Sequence, residues 1–177
     1  MKGVLNMANT PKNIMLGKGV FKVDDQLIGL TRDGGNFSLE YENRVINADG
    51  DRGTVKGRVV REMATPKLQI SHLELLTDFE KLHPGMKKTT SGSSTVITGT
   101  GIIDDSVDYH TVEFVGETKD GRDVSIKVEN AINLENISLD LKEKNDVIDS
   151  ITFTGCYEEN AASIDEPWSI TYANATA

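Results

Sequence analysis

The sequence is poor in the residues that carry most disulfide, metal and redox chemistry. Its 177 residues include one cysteine, and they contain three histidines and one tryptophan. A single cysteine excludes an internal disulfide framework and is usual for a protein that folds in a reducing cytoplasm. No stretch approaches the about 20 apolar residues of a membrane-spanning helix. The first 16 residues also lack the continuous apolar segment of a signal peptide. We therefore expect a protein made in the cytoplasm, with no membrane segment.

Sequence motifs for catalysis are missing as well. The chain contains no P-loop, no G-x-G-x-x-G and no H-E-x-x-H. His72 and His83 fall at the two ends of one predicted helix, too far apart to share a metal unless the chain bends. Nothing in the sequence clusters with Cys156, although a Cys–His pair formed by the fold stays open as an alternative. We predict no enzyme activity, no metal and no cofactor.

Two acidic segments resemble sites but are better explained as turns. Residues 47–51 (NADGD) suggest a calcium loop, yet Arg58 stands at the twelfth position, where an EF-hand needs a bidentate glutamate. Asp104 and Asp105 are a possible carboxylate pair, but solvated turn residues explain them more simply. Both segments are therefore interpreted as turns.

Charge is unevenly divided along the chain. Residues 1–101 carry 14 Lys/Arg and 11 Asp/Glu, a net charge of +3. Residues 102–177 carry 5 Lys/Arg and 17 Asp/Glu, a net charge of −12. Such an acidic half argues against a nucleic-acid clamp, which needs a basic face. Two interpretations remain open: a solvated acidic surface, or a surface that repels polyanions.

Most of the chain has the period-2 hydrophobic pattern of β-strands. Residues 37–41, 124–128, 137–141 and 168–172 alternate clearly, and Asp120-Gly121 predicts a type I′ hairpin turn. Residues 86–94 are small and polar and are predicted to be a loop.

Only one segment is predicted to be helical. Ser71 and Glu74 have the spacing of a capping box, and apolar residues follow at every third position. The predicted apolar stripe consists of Leu73, Leu76, Phe79 and Leu82.

These patterns together predict the fold class and domain organisation. We expect a mainly β protein, an antiparallel β-sandwich or open barrel of two packed sheets with one flanking α-helix at about residues 72–83. The predicted organisation is an N-terminal arm at residues 1–17, one β domain at 18–173 and a C-terminal tail at 174–177. A polar loop at residues 43–54 is long for a compact domain, and such loops are usually functional or ordered by a partner.

The first part of the chain resembles a known family. Residues 19–24 (GVFKVD), 29–35 (GLTRDGG) and 37–42 (FSLEYE), with the following segment to the leucine-rich helix, are similar to bacteriophage tail tube (major tail) proteins. The similarity covers about residues 18–83. It implies a virion structural protein in the phage tail whose β-sandwich subunits form hexameric rings. Stacked rings would make a hollow conduit that DNA crosses during genome ejection without specific binding.

The resemblance also implies site residues and partners. The long loop would contact the next ring, with Arg44, Asp49, Asp51 and Arg52 as candidates. Acidic residues of the second half would line the lumen and repel DNA phosphates; the candidates are Glu113, Asp123, Glu129 and Asp140. Besides other copies of the chain, the expected partners are a tape-measure protein and tail-terminator or tip proteins.

Two other functions remain as alternatives. One is the tube protein of a contractile tail or of a type VI secretion-like injection machine, which shares the fold. The other is a β-sandwich carbohydrate-binding module, for which Trp168, Tyr172 and Tyr157 would supply the aromatic platform.

Overall fold

The computed structural model describes residues 14–159 and 165–174 of the chain. Within these residues there are ten strands and one helix. In chain order they are β1 (Met15–Val23), β2 (Gln26–Leu27), β3 (Thr31–Val45), β4 (Val59–His72), α1 (Leu75–Leu82), β5 (Met86–Ser91), β6 (Ser94–Gly99), β7 (His110–Thr118), β8 (Asp123–Asn133), β9 (Asp149–Gly155) and β10 (Trp168–Tyr172). The predicted class, mainly β with one helix, is confirmed.

Eight of the strands form one antiparallel sheet that folds over on itself. The order is β2-β1-β7-β8-β9-β4-β3. The eighth strand, β10, lies off this path and pairs with β8. The sheet changes layer along β8, because residues 124–128 pair with β10 whereas residues 131–133 pair with β9. Between the two stretches, Asn130 has a left-handed φ of 48°. The layer of β10, β8, β7, β1 and β2 therefore packs on the layer of β9, β4 and β3, while β5 and β6 form a separate hairpin.

The core lies between these two layers and is built from alternate residues of their strands. Val23, Val112, Val128, Ile70 and Phe153 are fully buried in it. The two layers are in direct contact at their edges as well, since the rings of Phe37 on β3 and Trp168 on β10 are 5.9 Å apart. Burying each such apolar side chain contributes about 1.5–3 kcal/mol relative to leaving it in water.

The helix is present, but the capping box that predicted its start is wrong. β4 continues to His72, so Ser71 belongs to a strand paired with Ser150 rather than to a helix cap. The residue that caps the helix is Glu74, and its side chain makes no capping hydrogen bond. The pairing of β4 with β9 extends through Ser71 to His72, and this tertiary contact outweighs the local capping motif.

The predicted apolar stripe of the helix is also partly wrong. Leu76 is 79% exposed, whereas Leu82 is 1% exposed and belongs to the core. The other two predicted stripe residues, Leu73 and Phe79, are half-buried, and the Phe79 ring lies 4.4 Å from the ring of the buried His83. β4 extends to His72, so the helix starts at Leu75, later than expected. A spacing of three residues also drifts around a helix of 3.6 residues per turn, so Leu76 and Leu82 do not share one face.

One strand prediction and one loop prediction fail in the middle of the chain. Residues 137–141 alternate like a strand but lie in the irregular connection between β8 and β9. Residues 86–91 were expected in a loop, yet they form β5 and pair with β6 from Met86 opposite Gly99 to Ser91 opposite Ser94. The cross-strand partner decides both cases: residues 86–91 have one, and residues 137–141 have none among the described residues.

The hairpin predicted at Asp120-Gly121 is confirmed, although its turn is of another type. The Gly121 N–H donates to the Thr118 carbonyl at 2.9 Å, and the Thr118 N–H donates to the Arg122 carbonyl at 2.8 Å. Only Gly121 in this turn has a positive φ, at 80°. This geometry matches a type I turn followed by a left-handed glycine, whereas a type I′ turn needs positive φ at both central residues.

The start of the β domain lies earlier than predicted. β1 begins at Met15, so residues 15–17, assigned to the N-terminal arm, belong to the sheet. Residues 1–13 of that arm and residues 175–177 of the tail lie outside the described residues. In the described part of the chain, no helix has the length and apolar character needed to cross a membrane.

Candidate functional site

The hairpin of β3 and β4 extends well beyond the rest of the sheet. β4 pairs with β9 only from Lys67 onward, whereas its pairing with β3 continues out to Val59 opposite Val45. Residues 40–63 therefore form a two-stranded projection with a loop at its end, and we call this segment the arm. A two-stranded hairpin without a packed layer is marginally stable by itself, so the arm depends on what it contacts.

The arm exposes apolar side chains on both of its faces. Val59 and Val60 are neighbours in an extended strand and so point in opposite directions, yet both are exposed. The exposed apolar residues of the arm are Tyr41, Val45, Ile46, Val59, Val60 and Met63. Isolated exposed apolar residues are normal, but a cluster of this kind on a projecting element marks an interaction surface.

Polar contacts along the arm hold its two strands in register. The Arg61 guanidinium lies 3.7 Å from the centre of the Tyr41 ring, a cation–π contact across the hairpin. Arg44 on β3 forms an ion pair with Glu62 on β4. Both pairs are exposed, and exposed ion pairs contribute little stability. Their effect is to position the arm's side chains.

The loop at the tip of the arm has an internal hydrogen-bond network. The Asp51 carboxylate accepts from the Ala48 N–H at 2.7 Å and from the Arg58 guanidinium at 2.8 Å. The Ile46 N–H donates to the Arg58 carbonyl at 2.8 Å and closes the base of the loop. The loop therefore spans residues 46–58 instead of the predicted 43–54, because residues 43–45 belong to β3. Asp51, which belongs to the segment that resembles a calcium loop, thus forms an ion pair with Arg58.

The structure gives different positions to the four residues predicted to contact a next ring. Arg44 lies on β3, and Asp51 is turned into the loop toward Arg58. Asp49 and Arg52 are exposed at the tip. Sequence reasoning missed two features of the arm: the ion pair of Arg58 with Asp51, and the exposure of the apolar residues. Their exposure depends on what packs across the two strands, which the sequence alone does not show.

Three of the four acidic residues predicted to line a lumen share one face of the sheet. Glu113 on β7, and Asp123 and Glu129 on β8, alternate with core residues and point away from the core. Asp140 lies apart from them, in the connection between β8 and β9, where it pairs with Lys142. The fold thus brings together three of the candidates on a face formed by adjacent strands.

Lysines lie among these carboxylates. Lys127 Nζ is 2.9 Å from a Glu129 oxygen, and this hydrogen bond raises the pKa of Lys127 despite partial burial. Lys22 Nζ is 4.0 Å from Glu113. Because cations and carboxylates alternate, the face has a mixed character and a smaller net negative charge than its carboxylates alone would give.

A buried polar cluster lies where β9 meets the end of the helix. His83 Nε2 is 2.6 Å from an Asp149 carboxylate oxygen, and both side chains are buried. The Asn133 amide is 3.1 Å from the other ring nitrogen of His83. Both ring nitrogens of His83 are therefore engaged inside the protein. We interpret this cluster as a structural link between the helix end, β8 and β9.

His72 adjoins the same cluster. It is fully buried, and its two ring nitrogens have no hydrogen-bond partner in the described part of the chain. Burial lowers the pKa of His72 and so disfavours the protonated ring. The pairing of β4 with β9 places His72 opposite Asp149, so the fold brings both histidines toward one carboxylate. Even so, residues 14–159 and 165–174 contain no group of three His, Cys, Asp or Glu side chains able to hold a metal.

Cys156 follows directly after β9 and lies beside a surface cavity. The surface cavity beside it is lined by Tyr109, Asn130 and Tyr157 together with three carboxylates, and none of the three histidines is part of that lining. Burial raises the pKa of the Cys156 thiol, which disfavours the reactive thiolate. The described surroundings of Cys156 therefore lack the features of a catalytic cysteine.

No protein-family model matches the chain, and no curated protein is significantly similar to it. The resemblance of residues 18–83 to tail tube proteins consequently stays a prediction.

Proposed function

We propose that this chain is a structural virion protein: the subunit of a bacteriophage tail tube, which forms hexameric rings that stack into a hollow conduit. The observation that carries the proposal is the arm, residues 40–63, with its exposed apolar residues on both faces. A side chain such as Val59 or Met63 gains nothing from exposure in a single copy. Contact with another copy would bury it.

The form of the arm suits contact between rings. It projects from the body on two paired strands, with a tip loop ordered by Asp51 and Arg58. An element that is ordered before assembly loses less conformational entropy on binding than a disordered loop does. Asp49 and Arg52 at the tip add exposed charges of opposite sign, which give such a contact specificity more than strength.

The conduit itself would be lined by the outward face of β7 and β8. Glu113, Asp123 and Glu129 lie on this face, and six copies of each would surround the axis of a hexameric ring. Carboxylates repel the phosphates of passing DNA over a distance of about 8 Å at physiological salt. The nearby Lys22 and Lys127 reduce this effect, so the proposed lining is weakly acidic.

Partners and location follow from the same proposal. The subunit would bind other copies of itself, a tape-measure protein inside the tube and terminator or tip proteins at its ends. It would be made in the cytoplasm of the bacterial host and end in the virion tail. A contractile tail or type VI-like tube would use the same surfaces, and the arm does not distinguish these machines.

The carbohydrate-binding alternative has less support. The Trp168 ring packs against Phe37 between the two layers, and its indole N–H donates to Glu166. The Tyr157 hydroxyl donates to the Ala64 carbonyl oxygen at 3.1 Å. Trp168 is thus engaged between the layers and is not available to an exposed platform, whereas Tyr157 and Tyr172 are 42% and 58% exposed.

Negative-stain electron microscopy of the purified full chain tests the proposal. We expect rings or tubes with a central channel, and a deletion of residues 48–53 should leave a folded protein that forms rings but no stacked tubes. Replacing Leu76, which is exposed on the helix, by Ser is the control and should leave the tubes unchanged. If the wild-type protein stays monomeric up to high concentration, with or without tail partners, the proposed function is wrong.

A second experiment tests the lining. Glu113→Lys, Asp123→Lys and Glu129→Lys in one variant should make assembled tubes retain DNA at physiological salt, while Asp140→Lys, in a different place, should not. Equal DNA retention by wild type and the triple variant would contradict an electrostatic role of this face.

A further inference from the structure

Residues 137–141 have the pattern of a strand but no strand partner. Ile137, Leu139 and Leu141 alternate with Ser138 and Asp140. Among the described residues this segment belongs to no sheet. Leu141 is 79% exposed and Ile137 is 41% exposed. Its exposed apolar side chains would gain from burial, and its backbone groups, which no described strand pairs, are available to hydrogen-bond with another strand.

β10, in turn, lacks a strand partner on one of its two edges among the described residues. In the described part of the chain it pairs only with β8, so its other edge is open. On its core-facing side, Trp168 is covered by Phe37, whereas Ile170 is 47% and Tyr172 58% exposed. The apolar face of β10 therefore continues past the end of the layer that should cover it.

The two sequences match position by position. β10 alternates three apolar residues with Ser169 and Thr171, and residues 137–141 alternate three apolar residues with Ser138 and Asp140. In an antiparallel pair, Leu139 would lie opposite Ile170, with the remaining apolar residues beside each other on the same face. Aromatic and aliphatic cross-strand pairs of this kind stabilise sheets, and the alternation fixes the register.

Among the described residues of one copy, the two segments are not paired with each other, and they adjoin different ends of β8. The 137–141 segment follows Asn133, at the end of β8 that pairs with β9. β10 starts opposite Val128 and runs to Tyr172 opposite Val124, in the direction away from Asn133. The connection that contains the segment is also held to the other layer, since Arg32 near the start of β3 pairs with Asp146, five residues after Leu141, at 2.5 Å.

We propose that residues 137–141 of one copy pair with the open edge of β10 in a second copy and extend its sheet by one strand. The contact joins two different surfaces, the segment 137–141 and the edge of β10, and each copy carries both surfaces. Head-to-tail contacts of this type close into rings when the rotation permits. This inference rests on the proposed function, because it supplies the contact within a ring, and the arm supplies the contact between rings.

Charge reversal tests the pairing in the full chain. Leu139→Glu and Ile170→Lys, each alone, should raise the subunit concentration needed for half-maximal ring formation by more than about tenfold, equivalent to about 1.4 kcal/mol. The double variant, with opposite charges in facing positions, should recover most of that loss. The like-charged double variant Leu139→Lys/Ile170→Lys should not. Leu76→Glu, an exposed apolar residue elsewhere, is the matched control and should assemble as wild type.

Disulfide trapping gives an independent measurement. In a Cys156→Ser background, Leu139→Cys and Ile170→Cys single variants are mixed and oxidised under assembly conditions, and the double variant is oxidised separately. We expect a mixed dimer from the mixture and a ladder up to the ring size from the double variant, since facing strand residues meet disulfide geometry. A disulfide within one copy, or rings that form without any cross-link and tolerate both charged substitutions, would overturn the pairing but leave the tube proposal standing. Absence of rings in the wild type would overturn both.

Discussion

β4 passes through two environments, and comparing them shows what decides exposure in this protein. In the body, Leu68 and Ile70 are buried between the layers. On the arm, Val59 and Val60 are exposed, although they belong to the same strand and have the same partner, β3. The difference is that β9 pairs with β4 only from Lys67 onward, so Val59 and Val60 lie beyond the end of that pairing. Burial is therefore set by what packs across the strand, and residue type alone does not predict it.

The polar groups differ in the same way. In the body, His83 and Asp149 form a buried pair that cannot exchange its partners for water. On the arm, Arg44 and Glu62 pair in solvent. Removing one partner of a buried pair is strongly destabilising, whereas an exposed pair contributes about 0–1 kcal/mol. We expect the body to determine stability and the arm to determine assembly.

The sharpest test of this contrast compares an aromatic residue in each region. Phe153→Ala in the body should lower the free energy of unfolding by about 3–5 kcal/mol, because the ring is fully buried and a cavity remains. Tyr41→Ala on the arm should cost about 1 kcal/mol or less, mainly through the lost contact with Arg61. Urea denaturation of both variants measures the difference. Similar losses would mean that the arm is part of the cooperative core.

Two leucines of the helix make the same comparison within one element. Leu82→Ala should cost about 2–5 kcal/mol, since Leu82 is 1% exposed in the core. Leu76→Ala should change stability by less than about 0.5 kcal/mol, because it is exposed. Thermal and urea unfolding give the values. A substantial loss for Leu76 would show that the predicted stripe packs after all.

A pH series tests the buried polar cluster of the body. Burial lowers the folded-state pKa of His72, and nearby His83 acts in the same direction, while Asp78, Asp149 and Glu74 oppose the shift. Below the unfolded-state pKa of about 6.5 the unfolded chain therefore binds the extra proton. We expect the free energy of unfolding to fall by up to about 1.4 kcal/mol per pH unit below that value and to level off above it.

Variants separate His72 from the other titrating groups. His72→Gln should remove its share of the slope, measured as urea midpoints between about pH 5.5 and 7.5. His110→Gln is the control, because His110 pairs with Asp24 elsewhere and the slope from His72 should remain. An unchanged slope in His72→Gln would contradict the role given to this residue.

The smallest effect is expected at the tip of the arm. Asp51→Ala removes two hydrogen-bond acceptor contacts, to Ala48 and Arg58, and should cost about 0.5–1.5 kcal/mol of local order. The backbone amide protons of the loop at residues 46–58 should then exchange with solvent faster, as measured by hydrogen exchange. Asp49→Ala, at an exposed position two residues away, should leave exchange unchanged. Equal exchange in both variants would mean that the loop has no order of its own to lose.

The sequence predicted elements whose signals are local. Asp120-Gly121 marked a hairpin because a glycine there can take a positive φ. The strands at 124–128 and 168–172 were visible from alternation, and they pair with each other in the structure. The apolar residues located the helix, although its predicted start is too early, because Ser71 and His72 belong to β4.

What only the tertiary structure decided is which of these patterns find partners. The alternation of residues 137–141 is as regular as that of 168–172, but only the second has a strand beside it among the described residues. The convergence of His72 and His83 on Asp149, from 77 and 66 residues apart in sequence, likewise has no local signal. Alternation and turn chemistry depend on a few neighbouring residues, whereas burial, pairing and exposure depend on surfaces that the folded chain brings from far along the sequence.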